Sequence, residues 1–156
     1  MLPIHNDLIF VLHDVARMMR TKFDQRARGW GMTRAQCVIL MRLHKQPGLC
    51  QNEMAAICEV EPITVARLID RLEANGLVER RADPSDRRMH RLHLLPAAEP
   101  ILAEITRYRT ESIARLRDGI SDGDWDAALR VLLQMKDKLV TDAAASRPEA
   151  AAGEKS

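Results

Sequence analysis

The chain has 156 residues, and 24 Lys+Arg against 22 Asp+Glu leave a formal net charge of +2. That length suits one compact unit and excludes a multi-domain enzyme. With 46% hydrophobic and 29% charged residues the composition is neither that of a disordered chain nor that of a membrane-spanning one. Aromatic residues are only 3%, too few for a platform that stacks single-stranded bases.

No stretch approaches the apolar length of a spanning helix, and Met1-Leu2-Pro3-Ile4-His5 has no basic region leading into an apolar one, so a cytoplasmic protein is expected. Cys37, Cys50 and Cys58 are odd in number and lack CxxC spacing, which suits reduced thiols.

Apolar residues at Leu8, Leu12, Val15, Met19 and Phe23 predict a long amphipathic helix over about 5–28 that ends before Gly29-Trp30-Gly31. Thr33 and Gln36 have the spacing of a capping box and open a second helix. Its run Cys37-Val38-Ile39-Leu40-Met41-Arg42-Leu43 is apolar nearly all round, which makes it central to the core. A short helix follows from about Gln51 to Cys58. Pro62 then suits the first turn of another helix, because the N–H it lacks has no partner there anyway. That helix runs to Asn75, with Gly76 as the left-handed residue after it. Val65, Leu68, Ile69 and Leu72 form its buried stripe, and Thr64, Arg67, Arg71 and Asn75 form the opposite, outward stripe.

Leu77–Arg81 and Arg88–Leu94 read as two strands joined by the turn Ala82-Asp83-Pro84-Ser85-Asp86. Two long helices complete the chain over about 97–142. The last carries Asp124 and Asp126 near its start and Lys136 and Lys138 near its end, a charge order that complements the helix dipole. A tail over 143–156 lacks apolar periodicity and reads as disordered.

The net charge hides an uneven distribution. Residues 1–45 hold eight basic and three acidic side chains, and 46–61 hold no basic and three acidic ones. Residues 62–93 hold seven and five, and 94–156 hold nine and eleven. Within the third segment the hairpin concentrates arginine at Arg80, Arg81, Arg87, Arg88 and Arg91, an electrostatic footprint that the total conceals.

Helix, short helix, tight turn, helix with an outward polar stripe and then a basic hairpin is the order of a winged helix-turn-helix, a mainly α fold with a small β-hairpin wing. A helix fits the major groove of B-DNA, and Pro62, Ile63, Thr64 and Arg67 lie at the end that reaches base edges. Arg67 has the fork that guanine accepts, Thr64 suits a methyl or hydroxyl contact, and Arg71, a turn further on, suits a phosphate. Arg87 and Arg88 at the hairpin tip suit an adjacent minor groove, and Asp86 is expected to hold Arg88 in a fixed pose by a charge-assisted hydrogen bond.

At these residues the sequence resembles the MarR family of bacterial winged-helix repressors, and Thr33 to about Leu95 looks most like its SlyA-type branch. The matching residues are Gln51-x-x-Met54-Ala55, Thr64-Val65-x-Arg67-Leu68-x-Asp70-Arg71-Leu72-Glu73-x-x-Gly76-Leu77-Val78 and Asp83-Pro84-x-Asp86-Arg87-Arg88. The chain departs after the wing, where Leu94-Leu95-Pro96-Ala97-Ala98 stands in place of Leu-Thr-x-x-Gly. The resemblance implies a single unit over 1–142: a homodimer joined through the first helix and the last two, with a winged head over about 33–95. It further implies double-stranded DNA with a pseudo-palindromic operator as partner, and repression relieved by a small aromatic or anionic effector such as an aromatic acid or its CoA thioester. Arg17, Cys37, Met41 and His44 are the residues of this sequence expected to line the effector crevice.

Two other functions remain open on sequence. One is thiol-based redox sensing, with Cys50 beside a helix start as its best residue. The other is a winged-helix module that recognises protein and not DNA. No cofactor is expected. A metal site is not expected either, because His90 and His93 point to opposite faces of their strand. Neither a phosphate-binding glycine loop, a nucleophile elbow nor an HExxH helix is present, so no enzyme is expected.

Overall fold

The computed structural model describes residues 7–145. In chain order it contains α1 (Leu8–Gly29), α2 (Arg34–Lys45), α3 (Gln51–Cys58), α4 (Pro62–Ala74), β1 (Val78–Ala82), β2 (His90–Leu94), a 3-10 turn (Pro96–Ala98), α5 (Glu99–Arg117) and α6 (Asp122–Ala145). This is the mainly helical winged helix-turn-helix that the element order predicts. Contacts divide the chain into two compact units, Met1–Tyr108 and Arg109–Ser156, with the boundary inside α5.

The first unit holds the core. The α2 capping box forms, with Thr33 Oγ1 accepting from Gln36 N and Gln36 Oε1 accepting from Thr33 N at 2.9 Å. Cys37, Ile39, Leu40 and Leu43 of α2 are fully buried, and Val65, Ile69 and Leu72 of α4 pack into the same cluster with Met54 of α3 and Leu92 of β2. Each such aliphatic side chain contributes about 1.5–3 kcal/mol by leaving water, enough to fix which face of α4 turns inward. Leu68 lies at the edge of this stripe, half-buried.

Helix α4 ends as its sequence requires. Gly76 takes φ +68, its N–H bonds to Glu73 O, and Leu77 N reaches back to Leu72 O at 3.0 Å, a Schellman closure that turns the chain directly into β1. The strands pair antiparallel from Val78 opposite Leu94 to Ala82 opposite His90. Residues 48–50 add a short third edge: Gly48 N donates to Leu92 O, Leu92 N donates to Leu49 O, and Cys50 bridges Arg91. The wing is thereby fastened to the start of α3. Phe23, Trp30 and Tyr108 form an edge-to-face aromatic trio beside the core, with Arg26 over the Trp30 ring at 5.5 Å.

In the second unit, α6 opens on a Ser121 cap whose Oγ accepts from Asp124 N, and Arg117 lies over the Trp125 ring at 5.2 Å. Two expectations need correction. Helix α6 continues to Ala145, so Lys136 and Lys138 are interior and the last turn carries no basic residue. The expected dipole match therefore exists only at the start of that helix. Of the tail expected over 143–156, residues up to Ala145 belong to α6 and 146–156 lie outside the described residues, as do residues 5 and 6 of the first helix.

Candidate nucleic-acid interface

Pro62, Ile63, Thr64, Arg67 and Arg71 of α4 and Asn75 just after it are all exposed; Thr64, Arg67, Arg71 and Asn75 share the side opposite the buried stripe, while Pro62 and Ile63 lie at its leading end. Ile63 is 61% exposed, which leaves an apolar side chain in water at the leading end of the helix. Pro62 occupies the first helical turn, and Glu61 before it makes no side-chain cap bond. The turn between α3 and α4 pivots on Glu59, which is held at φ +53, the one non-glycine in the left-handed region among the described residues.

Ion pairing sorts the arginines of the segment into two kinds. Arg80 on β1 clamps α4: its Nη2 donates to Asp70 Oδ1 at 2.6 Å, and its Nη1 and backbone N engage the Glu73 carboxylate. Arg81 engages Glu79. Arg91 Nε donates to Asp83 Oδ2 at 2.6 Å. By contrast Arg67, Arg71, Arg87 and Arg88 make no ion pair among the described residues. The side chains expected to face DNA are thus the ones the fold leaves uncompensated, while the other arginines in the count brace the head.

The wing loop runs from Asp83 to Met89, longer than the expected turn, because Asp83 organises it. Asp83 Oδ1 accepts from Ser85 N at 2.7 Å and from Ser85 Oγ at 2.6 Å, and its own N–H bonds to Met89 O. Those bonds from Ser85 and that of Arg91 hold its carboxyl well below the usual carboxylate range. The role expected for Asp86 is corrected here. Its Oδ1 accepts from the backbone N of Arg88 at 2.9 Å and not from the guanidinium. A carboxylate two residues before an amide closes a local turn more readily than it reaches a long side chain. The carboxylate that does hold a wing guanidinium is Asp83, on Arg91.

The four residues expected to line an effector crevice do not converge within the chain. Arg17 is exposed and paired with Asp14 at 2.8 Å. Cys37 is fully enclosed, so it offers no surface to a ligand, and burial pushes its thiol up to about 11. Met41 is half-buried against the core. His44 lies further out on the same helix and lines an open cavity of about 710 Å³ with Leu94, Pro96, Leu102, Thr106 and Arg107. Shared helical phase put Cys37 and His44 on one face, but depth changes along α2 as its end emerges from the core.

Cys50 is buried at the start of α3, where its backbone N donates to Glu53 Oε2 at 2.7 Å. His90 and His93 sit on β2, and no group of three or more metal-ligating side chains comes together among the described residues. Among them, too, no helix is long and apolar enough to cross a membrane.

Solved structures share this architecture. The transcriptional regulator SlyA superposes with a TM-score of 0.77 at 24% identity, over 88% of this chain and 96% of that one. MarR gives 0.77 at 24% identity over 92% and 98%, so the match favours neither branch. A complex of S. aureus MepR with DNA gives 0.75 at 23% identity over 88% and 99%. The model of the MarR family matches residues 32–90, from the start of α2's cap to the first residue of β2. Over its winged head the chain is thus similar to the MarR family, and it shares the fold of these solved structures.

Proposed function

We propose that this regulator binds duplex DNA in a sequence-specific way as a homodimer, represses transcription, and is released by a small ligand. The observation that carries the DNA reading is the sorting of arginines: the guanidinium groups of Arg67 and Arg71 on the outward stripe of α4, and of Arg87 and Arg88 on the wing, make no ion pair among the described residues. The S. aureus MepR–DNA complex supports it, since a protein of the same fold has been captured on DNA. Arg67 reads a base edge with its fork, Thr64 and Ile63 make close contacts beside it, Pro62 fixes the entry of the helix, and Arg71 meets a phosphate. Arg87 and Arg88 enter the flanking minor groove, with Asp86 shaping the turn beneath them.

Dimerisation over the terminal helices is supported by their apolar surfaces. On α1, Leu8, Phe10 and Met18 are more than half exposed, and on α6 Leu139 is 69% and Val140 60% exposed. A second copy would cover such surfaces, and two-fold pairing would present two recognition helices to a pseudo-palindrome. For the effector, the cavity beside His44 offers apolar walls and an imidazole, with the Arg107 guanidinium at its edge already engaged by Glu104 and with Glu99 also in its lining, so the apolar part of a ligand is what it suits best. Arg17 and Met41 would complete the site only through a neighbouring chain.

The deciding experiment compares cognate and scrambled duplexes by fluorescence anisotropy, once selection from a random pool has supplied the operator. Arg67→Ala is expected to lose about 1–3 kcal/mol on the cognate duplex and much less on the scrambled one. Equal losses on both would refute base reading. No duplex binding at any salt would leave recognition of a protein as the surviving function.

A further inference from the structure

We propose that Arg91 is a positioning residue of the DNA interface, one guanidinium that ties the wing to the helix pair and so sets where Arg87 and Arg88 meet the duplex. The inference rests on the DNA-binding reading above. Arg91 touches three segments at once. Its Nε donates to Asp83 Oδ2 in the wing loop at 2.6 Å, and its Nη1 donates to Glu53 Oε2 in the first turn of α3 at 3.2 Å and to Gly48 O in the turn before α3 at 3.3 Å.

The contacts then run on in both directions. Glu53 Oε2 also accepts from Cys50 N at 2.7 Å, which joins the guanidinium to the start of α3. Asp83 passes the constraint outward through Ser85 and through Asp86 N, and Asp86 Oδ1 holds the backbone of Arg88. A path of hydrogen bonds thus joins α3 to the backbone of Arg88 at the wing tip, with Arg87 its chain neighbour. Asp83 has only 7% of its side chain exposed and Arg91 33%, so the central bond is largely shielded from competing water, whereas Arg87 and Arg88 are exposed. The arrangement needs a planar fork, since Nε and Nη1 serve partners on different segments; a lysine ammonium presents one point charge and cannot reach all three.

The backbone bonds Gly48 N to Leu92 O and Leu92 N to Leu49 O do not involve the Arg91 side chain. Strand β2 therefore remains attached when that side chain is removed, and the consequence is confined to the loop 83–89.

The test is a mutant cycle on the full chain, using a duplex with A·T-rich flanks. Arg91→Ala is expected to weaken binding about tenfold in the natural background but less than about twofold when Arg87→Ala and Arg88→Ala are already present. Arg91→Lys should behave like Arg91→Ala, and Glu53→Gln should give a smaller loss in the same direction. Thermal melts followed by circular dichroism check that each variant is folded. If the Arg91 variant does not fold, Glu53→Gln carries the cycle, with the same non-additivity expected. Equal losses in both backgrounds, full rescue by lysine, or no loss at all would overturn the positioning role. In each of those cases natural binding leaves the DNA reading intact, whereas a natural protein that binds no duplex removes both.

Discussion

The salt dependence of duplex binding offers a quantitative check on the arginine sorting. Each phosphate neutralised by Lys or Arg releases a counterion, and log K falls against log salt with a slope of about −0.9 per contact. With Arg67 on a base edge, each head offers Arg71, Arg87 and Arg88 to the backbone and grooves, so two heads give a slope of about −5, or about −7 if Arg67 also meets a phosphate. Had every arginine from Arg67 to Arg91 faced DNA, two heads would give about −13. Raising salt from about 50 to about 200 mM should then cost roughly 10³-fold in affinity in the first case and more than 10⁷-fold in the last. Anisotropy titrations of a labelled operator across that range read the slope directly. Arg71→Ala should reduce it by about 2 per dimer, and Arg81→Ala, already engaged with Glu79, should leave it nearly unchanged. A slope near zero, or the same reduction from Arg81→Ala as from Arg71→Ala, would refute the division into bracing and DNA-facing arginines.

Three further outcomes follow from the geometry. Glu59 pays a left-handed penalty that glycine avoids, so Glu59→Gly is expected to stabilise by about 0.5–1 kcal/mol after glycine's own entropy loss, with Tm up by about 1–4 °C; a lower Tm would contradict the strain. Cys37, with its pKa near 11, stays a protonated and enclosed thiol at neutral pH, so Cys37→Ala should leave the count of thiols titrated in the native protein unchanged and lower the count in denaturant by one. A native count that falls would put Cys37 at the surface. The lowered pKa of Asp83 means that its extra stability is present above the ordinary carboxylate range and is lost as pH falls through about 4 and below. The Tm gap between the natural chain and Asp83→Asn should therefore narrow on acidification, and a gap constant from pH 7 to pH 3 would show that the Asp83 carboxylate does not carry it.

Much of the head was legible because its signals are local. The Thr33–Gln36 box, the Pro62 start and the Gly76 stop each depend on a few neighbouring residues, and the structure places α3 over Gln51–Cys58 as the spacing predicts. The two faces of α4 follow from periodicity alone, since a 3.6-residue repeat assigns Val65, Ile69 and Leu72 to one side and Thr64, Arg67 and Arg71 to the other. The misassigned partner of Asp86 shows where local reasoning stops: at two residues' distance the backbone amide of Arg88 is the nearer donor.

The sequence by itself determined the element order, the inward and outward faces of the recognition helix and the family likeness of the head, because these depend on spacing along the chain. Only the tertiary structure decided which charges remain available. Arg80 meets Asp70 across ten residues and Arg91 meets Glu53 across thirty-eight, and no periodicity encodes such separations. Packing α4 against β1 and docking β2 beside the start of α3 bring those partners together, and the arginines that this packing leaves without an ion pair among the described residues are the ones proposed to meet DNA.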